Sequence, residues 1–265
     1  MAKFVERLRW RLRRPVASWL VGPYRSVFRG EGIEFADARP YVPGEDWRRI
    51  HWSLSARKNQ PYVRLGQEER ELTCAIALDR SLSMRTPPAK ARLSLEVAAT
   101  FGWAAQLNGD RVRWLTFTER VEAFSPARKG ERFIWGSLEA LLARPPKGRK
   151  TLLRPLLRTF ASLHPRRALL IIISDGFFHD DAWKELIALS HKHFLFLALL
   201  RSPQESLTLP WGYLPTQEVE TGELFLAPPS LQPTLPRLPS LRQAVLVPGS
   251  PWLLRLRQAL LPGLH

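Results

Sequence analysis

The sequence is poor in cysteine, methionine and acid. Cys74 is the one cysteine among 265 residues, so the chain can close no disulfide on itself. That usage fits a reducing compartment. Cys74 lies in the apolar run Leu72-Thr73-Cys74-Ala75-Ile76-Ala77-Leu78, where a packed, inert thiol is expected. No apolar run approaches the roughly 20 residues that cross a bilayer; the most apolar stretch, Phe194 to Leu200, is too short. Residues 1–14 are basic but lack the apolar region and cleavage site of a secretion signal, so the chain reads as cytoplasmic. Asp and Glu number 24 against 40 Lys and Arg, for a net charge of +16.

Several catalytic signatures are missing as well. There is no Gly-x-Ser-x-Gly nucleophile elbow. Lys147-Gly148-Arg149-Lys150-Thr151 has Arg149 breaking the Gly-Lys pair that a phosphate-binding loop requires. His191 and His193 flank Lys192 without the spacing of a zinc-protease helix.

Hydrophobic content of 45%, with 10 Trp and 13 Phe, argues for a folded chain. The length suits one domain with extensions. Residues 1–29 carry eight Lys/Arg and one Glu, and residues 227–265 carry four Arg and no acid. Basic ends of this kind suit peripheral contact with an anionic membrane, nucleic acid or an acidic protein face. Phe4, Val5, Leu8 and Leu12 form a helical stripe, and packing of that stripe onto the domain is the expectation. Pro15 is expected to limit the helix or start another turn.

The run at 72–78 has the look of a strand buried on both faces of a parallel sheet, and it ends in Asp79-Arg80-Ser81-Leu82-Ser83. Asp79, Ser81 and Ser83 alternate, so in extended chain their oxygens point the same way. Such oxygens suit a hard cation such as Mg²⁺. A second buried strand, Leu169 to Ile173, ends in Ser174-Asp175-Gly176. Helical patterns at 90–107, 131–142, 152–163 and 180–192 alternate with strands at 112–117, 121–124 and 194–200. The fold class that follows is α/β, a doubly wound, mainly parallel sheet flanked by helices. Asp180 and Asp181 read as the capped start of their helix. Residues 212–227 read as a closing hairpin. Five prolines within 228–239 mark a Pro-rich strap, with a last short helix near Trp252 to Leu261.

Asp-x-Ser-x-Ser after one strand, Thr151 before a helix and Ser-Asp-Gly after another strand stand in the order of a von Willebrand factor A domain. This resemblance implies a metal-ion-dependent adhesion site, with Asp79, Ser81, Ser83, Thr151 and Asp175 supplying direct or water-bridged oxygens to Mg²⁺ or Mn²⁺. Arg149 and Lys150 stand where glycines often precede the family Thr. A further stretch reads Gly30-Glu31-Gly32-Ile33-Glu34-Phe35, then Arg39-Pro40-Tyr41-Val42-Pro43-Gly44-Glu45-Asp46-Trp47-Arg48-Arg49-Ile50-His51-Trp52, then Ala56-Arg57. It closely resembles the signature of the bacterial family called domain of unknown function 58, whose domain is a modified von Willebrand A domain. His51 stands at a family Asp. The likeness continues to Glu220-Thr221-Gly222-Glu223.

The chain then divides into a basic amphipathic segment (1–29), a signature region packed on the core (30–70), a von Willebrand factor A-like domain (71–227) and a Pro-rich extension (228–265). The density of Trp, Tyr and Arg beside acids suits recognition, which makes Arg39, Tyr41, Glu45, Asp46, Arg48, His51, Trp52 and Arg57 candidate partner-binding residues, with buried ion pairs among them. Asp46 is placed to cap whatever follows. Family members are commonly encoded beside MoxR-type AAA+ ATPases. The resemblance therefore implies a non-enzymatic adaptor for such an ATPase and for a client offering an Asp or Glu carboxylate. The alternatives are a metal-dependent phosphoester hydrolase and a nucleic-acid-binding protein.

Overall fold

A computed structural model describes residues 2–29, 38–50, 52–64, 72–202, 214–217, 219–220, 222, 224–227 and 241–261. The basic start folds as α1 (Ala2–Trp19) and α2 (Val21–Arg29), and α1 carries Pro15 inside it without ending there. Val5, Leu8, Leu12, Val16 and Leu20 are buried, and Tyr24 and Phe28 continue the stripe along α2. Steps of three and four residues put these side chains on one helix face, and they join the main core. The Tyr24 hydroxyl donates to Asp110 Oδ2 at 3.0 Å in that interior. The N-terminal segment is therefore part of the domain's packing.

The signature region supplies β1 (Ala38–Pro40), a 3₁₀ turn at Trp47–Arg49, α3 (Trp52–Lys58) and β2 (Tyr62–Arg64). β1 and β2 pair antiparallel, with Arg39 opposite Val63. Leu54 and Val63 are buried here but belong to neither of the two large apolar clusters.

The remaining chain is built on β3 (Thr73–Asp79), followed by α4 (Leu82–Arg85), α5 (Pro88–Leu107), β4 (Arg111–Phe117), β5 (Val121–Phe124), α6 (Glu131–Leu142), α7 (Leu153–Leu163), β6 (Leu169–Ser174), α8 (Trp183–Lys192), β7 (Phe194–Leu200), β8 (Leu214–Gln217), β9 (Leu224–Ala227), β10 (Leu241–Leu246) and α9 (Trp252–Ala259). Six strands form one sheet in the order β10-β7-β6-β3-β4-β5. All neighbours are parallel except β4 and β5. Strands buried on both faces need apolar residues at every position, and β3 and β6 supply them. Cys74, Ile76 and Leu78 face one core with α1, α2, α5 and α6, whereas Ala75 and Ala77 face the other with α7 and α8. The fold is a mixed, mostly parallel α/β sheet with helices on both sides, as the alternating pattern predicts. α5 lies so close to β4 that a Cβ on Gly102 would come within 2.7 Å of the Trp114 ring. Among the described residues no helix is long and apolar enough to cross a membrane.

Two expectations need correction. The Pro-rich extension contributes a strand: β10 adds to the sheet edge parallel to β7, with Leu241 opposite Leu195. No proline falls between Pro239 and Pro248, so the strand keeps its backbone donors intact, and Leu241, Ala244 and Leu246 are buried. The helix expected from Asp180 starts at Trp183 instead, with no side-chain cap. The Asp180 carboxylate accepts from Leu153 N and Arg154 N, both at 2.7 Å. It thus caps α7, whose own N-cap residue, Leu152, carries no acceptor.

Candidate functional site

The sheet fixes where a site can form. From β3 the chain runs outward to β4 and β5, then returns on the other side to β6 and β7. The C-terminal ends of β3 and β6 therefore flank the topological switch point, where ligands bind in open α/β sheets. Asp79 ends β3 there with 3% of its surface exposed. Its Oδ1 accepts from Ser81 N at 2.8 Å. Its Oδ2 accepts from Ser174 Oγ at 2.7 Å and from Thr151 Oγ1 at 3.1 Å. Ser81 Oγ lies 3.1 Å from Ser83 Oγ.

The loops that carry these oxygens are fastened to one another. Leu82 N donates to Arg149 O at 2.8 Å. Glu119 and Glu122, from the β4–β5 hairpin, accept from the backbone amides of Lys147, Gly148, Arg149 and Lys150. A Cβ on Gly148 would fall 2.3 Å from Thr118 Oγ1, so this close seating needs glycine. The basic loop thus delivers Thr151 to Asp79 on a frame of acids.

Asp175 is held differently. Its Oδ2 accepts from Lys90 Nζ at 3.0 Å, and the two side chains are 1% and 0% exposed. Lys90 comes from the first turn of α5. Burial pushes the Asp79 carboxyl up to about 7, the charge of Asp175 adds to that push, and hydrogen bonds from Ser174 and Ser81 oppose it.

A third carboxylate enters from outside the sheet. Glu220 lies in the turn between β8 and β9, whose antiparallel pairing bears out the expected hairpin. It is 7% exposed. Its Oε1 accepts from Ser83 Oγ at 2.8 Å and from Thr151 Oγ1 at 3.4 Å, and its Oε2 is 2.7 Å from His179 Nε2. Thr151 has one hydroxyl hydrogen, yet both Asp79 and Glu220 stand within its reach. Two carboxyl groups thus compete for one hydroxyl hydrogen, and every atom that Asp79, Ser81, Ser83, Thr151 and Glu220 offer to a metal is oxygen. That donor set fits a hard divalent cation. Among the described residues no group of three or more His, Cys, Asp or Glu is arranged to hold a metal, so the hydroxyls are integral to any such site.

The signature residues form a separate patch. Arg39 pairs with the Glu45 carboxylate, and Val42 N also donates to it at 3.1 Å. The pair is partly open, at 42% and 29% exposure, and not buried as expected. The Tyr41 hydroxyl donates to Glu45 O at 3.2 Å. Asp46 caps the 3₁₀ turn by accepting from Arg48 N at 3.0 Å, as expected. Arg48 lies 5.7 Å from the Trp47 ring centre. Trp47 and Trp52 are 63% and 68% exposed, and Arg57 is exposed in the last turn of α3. His51 lies outside the described residues.

Sequence reasoning brought Asp79, Ser81, Ser83 and Thr151 together and missed Glu220, His179 and Lys90. Glu220 had a signal in Glu220-Thr221-Gly222-Glu223, which reads as a turn until the fold shows where the turn goes. Lys90 had none.

A family described as "Protein of unknown function DUF58" matches residues 37–229. The chain belongs to this DUF58 family. Two relatives of this DUF58 protein are the uncharacterized proteins Mb1516 of Mycobacterium bovis and Rv1480 of Mycobacterium tuberculosis. Each is 26% identical over 232 residues, which is 85% of this chain and 73% of the relative. Among solved structures, it is similar to the conserved hypothetical protein BatB from Bacteroides thetaiotaomicron, at TM-score 0.41 and 14% identity over 59% of this chain and 80% of that one. A second is an aerotolerance-related membrane protein from Bacteroides fragilis, at TM-score 0.38 and 17% identity over 59% and 81%.

Proposed function

We propose that this DUF58 protein is a non-enzymatic interaction module of the von Willebrand factor A kind, an adaptor that binds a MoxR-type AAA+ ATPase and a client through a Mg²⁺ or Mn²⁺ site at the strand ends. The observation that carries this reading is the convergence of Asp79, Ser81, Ser83 and Thr151, from two loops, on a cluster that already seats a carboxylate, that of Glu220. Asp79, Ser81, Ser83 and Thr151 would hold the ion. Asp175, already paired with Lys90, would act at one remove. When bound, the ion supplies an electrophilic position that favours a carboxylate over water. The half-buried Ser83 lies at the end of the sheet, on the side from which a partner's acid would approach, whereas Thr151 is fully buried. Trp47, Trp52, Arg48 and Arg57 offer aromatic and guanidinium groups of the type that dominates binding energy at protein interfaces.

The test is titration of the purified protein with the MoxR-type ATPase from the same organism, in Mg²⁺ and in chelator, for the wild type and Thr151→Ala. Binding should weaken at least tenfold in the variant and in chelator alike. Binding unchanged in both would sink the metal-bridged mechanism. Turnover of a phosphomonoester that falls in the same variant would favour the hydrolase alternative.

A further inference from the structure

The β8–β9 hairpin is a two-stranded sheet of its own, yet its turn buries an acid among the oxygens at the ends of the main sheet. Burying a carboxylate is costly unless it is well compensated. Glu220 receives one firm hydroxyl bond, from Ser83 at 2.8 Å, one long one, from Thr151 at 3.4 Å, and an imidazole contact at 2.7 Å. His179 engages Oε2, which turns Oε1 toward Ser83 and Thr151, two of the hydroxyls that the proposed ion would use. Thr151 cannot donate its single hydrogen to both Asp79 and Glu220. A cation held by these oxygens would resolve that competition.

Resting on the metal-site reading above, we propose that Glu220 is an additional ligand of that site and the chain's own occupant of the position a partner's carboxylate takes. The hairpin is then a tethered acid. A docking partner must exchange its Asp or Glu carboxylate for that of Glu220. Exchange of one carboxylate for another leaves the charge of the site unchanged, so the selectivity is for acids. A tethered ligand also sets a threshold: a free carboxylate competes with one held at high effective concentration, and only a partner with further contacts displaces it.

The experiment uses Mn²⁺ as the metal and acetate as the carboxylate probe, with water-proton relaxation reporting the waters on bound Mn²⁺. Wild type, Glu220→Gln, Glu220→Asp and Asp79→Ala are compared after circular dichroism confirms that each is folded. In Glu220→Gln, Mn²⁺ should bind about tenfold more weakly, with higher relaxivity per bound ion as water enters the vacated position. Acetate should then lower that relaxivity, while leaving the wild type unchanged at the same concentration. Glu220→Asp keeps the acid but shortens it by a methylene, and should fall between the two. Asp79-dependent Mn²⁺ binding with equal relaxivity and equal acetate response in wild type and Glu220→Gln would overturn the role of Glu220 and leave the metal site standing. Absence of Asp79-dependent Mn²⁺ binding in the wild type would overturn the metal site, and the role of Glu220 with it.

Discussion

The strand-end cluster and the signature patch are both made of polar side chains in loops, yet they are built in opposite ways. In the cluster, Asp79 and Ser83 from one stretch meet Ser174, Thr151 and Glu220 from three others, and all but the half-buried Ser83 are buried. In the patch, Arg39, Tyr41, Val42, Glu45, Asp46 and Arg48 bond within a stretch of ten residues and leave Trp47 and Trp52 in the open. Long-range polar contacts in a buried setting make the first region sensitive to single changes, because one deletion strands a buried partner. Local contacts on a surface make the second tolerant in stability but available for binding. The same mutation type should therefore read out as lost stability or lost metal in one region and as lost affinity in the other.

The largest effect is expected where charge is most deeply buried. Lys90→Met removes the cation from Asp175, at a pair 0% and 1% exposed, and should cost about 3–5 kcal/mol in urea unfolding. Adding Asp175→Asn should recover much of that loss, since an amide in place of the carboxylate leaves no unpaired charge. A loss under 1 kcal/mol in Lys90→Met would show that the pair contributes no more than surface charges do, and the contrast between the two regions would fail there.

Next comes Asp79→Ala. If the oxygens hold an ion, Mg²⁺ at a hundred times its dissociation constant should stabilise the wild type by about 2.7 kcal/mol, seen as a raised Tm, and the variant should show no rise. Equal shifts in both proteins would put the ion elsewhere. pH sharpens the same point. The unfolded chain loses the Asp79 proton near pH 4, whereas the folded chain holds it to about 7. Between those values the folded state binds more protons, so metal-free stability should fall as pH rises from about 4 to about 7. Asp79→Asn should flatten that fall, and Mg²⁺ affinity of the wild type should climb over the same range as the proton leaves.

Legibility followed the range of the contacts. β3 and β6 were readable because continuous apolar runs need no partner to be recognised, and Asp79, Ser81 and Ser83 were readable because alternate spacing fixes their direction. Asp46 as a cap was readable because a cap bonds two residues away. What escaped was set by distant partners. Asp180 caps a helix 27 residues earlier in the chain, and Lys90 meets an acid 85 residues away. Glu220 reaches the site from a hairpin whose placement no local pattern records. β10 was obscured by the prolines before it, which mark a change of composition without saying where regular structure resumes.

The smallest stability effect, and the clearest test of the patch, is expected for Trp47→Ala and Trp52→Ala. Both rings are more than half exposed, so their removal forfeits little buried area, and each variant should stay within about 0.5 kcal/mol of the wild type in unfolding. Their Mg²⁺ response should also match the wild type, since neither residue supplies a strand-end oxygen. If the patch receives the ATPase, each change should nevertheless weaken that binding by tenfold or more, because a Trp ring desolvated at the centre of an interface is worth about 2 kcal/mol or above. Ser83→Ala gives the complementary pattern, with affinity lost together with the metal response. Tight binding retained in both Trp variants and lost in Ser83→Ala would assign partner capture to the strand ends alone. Loss in the Trp variants and retention in Ser83→Ala would move it to the signature patch.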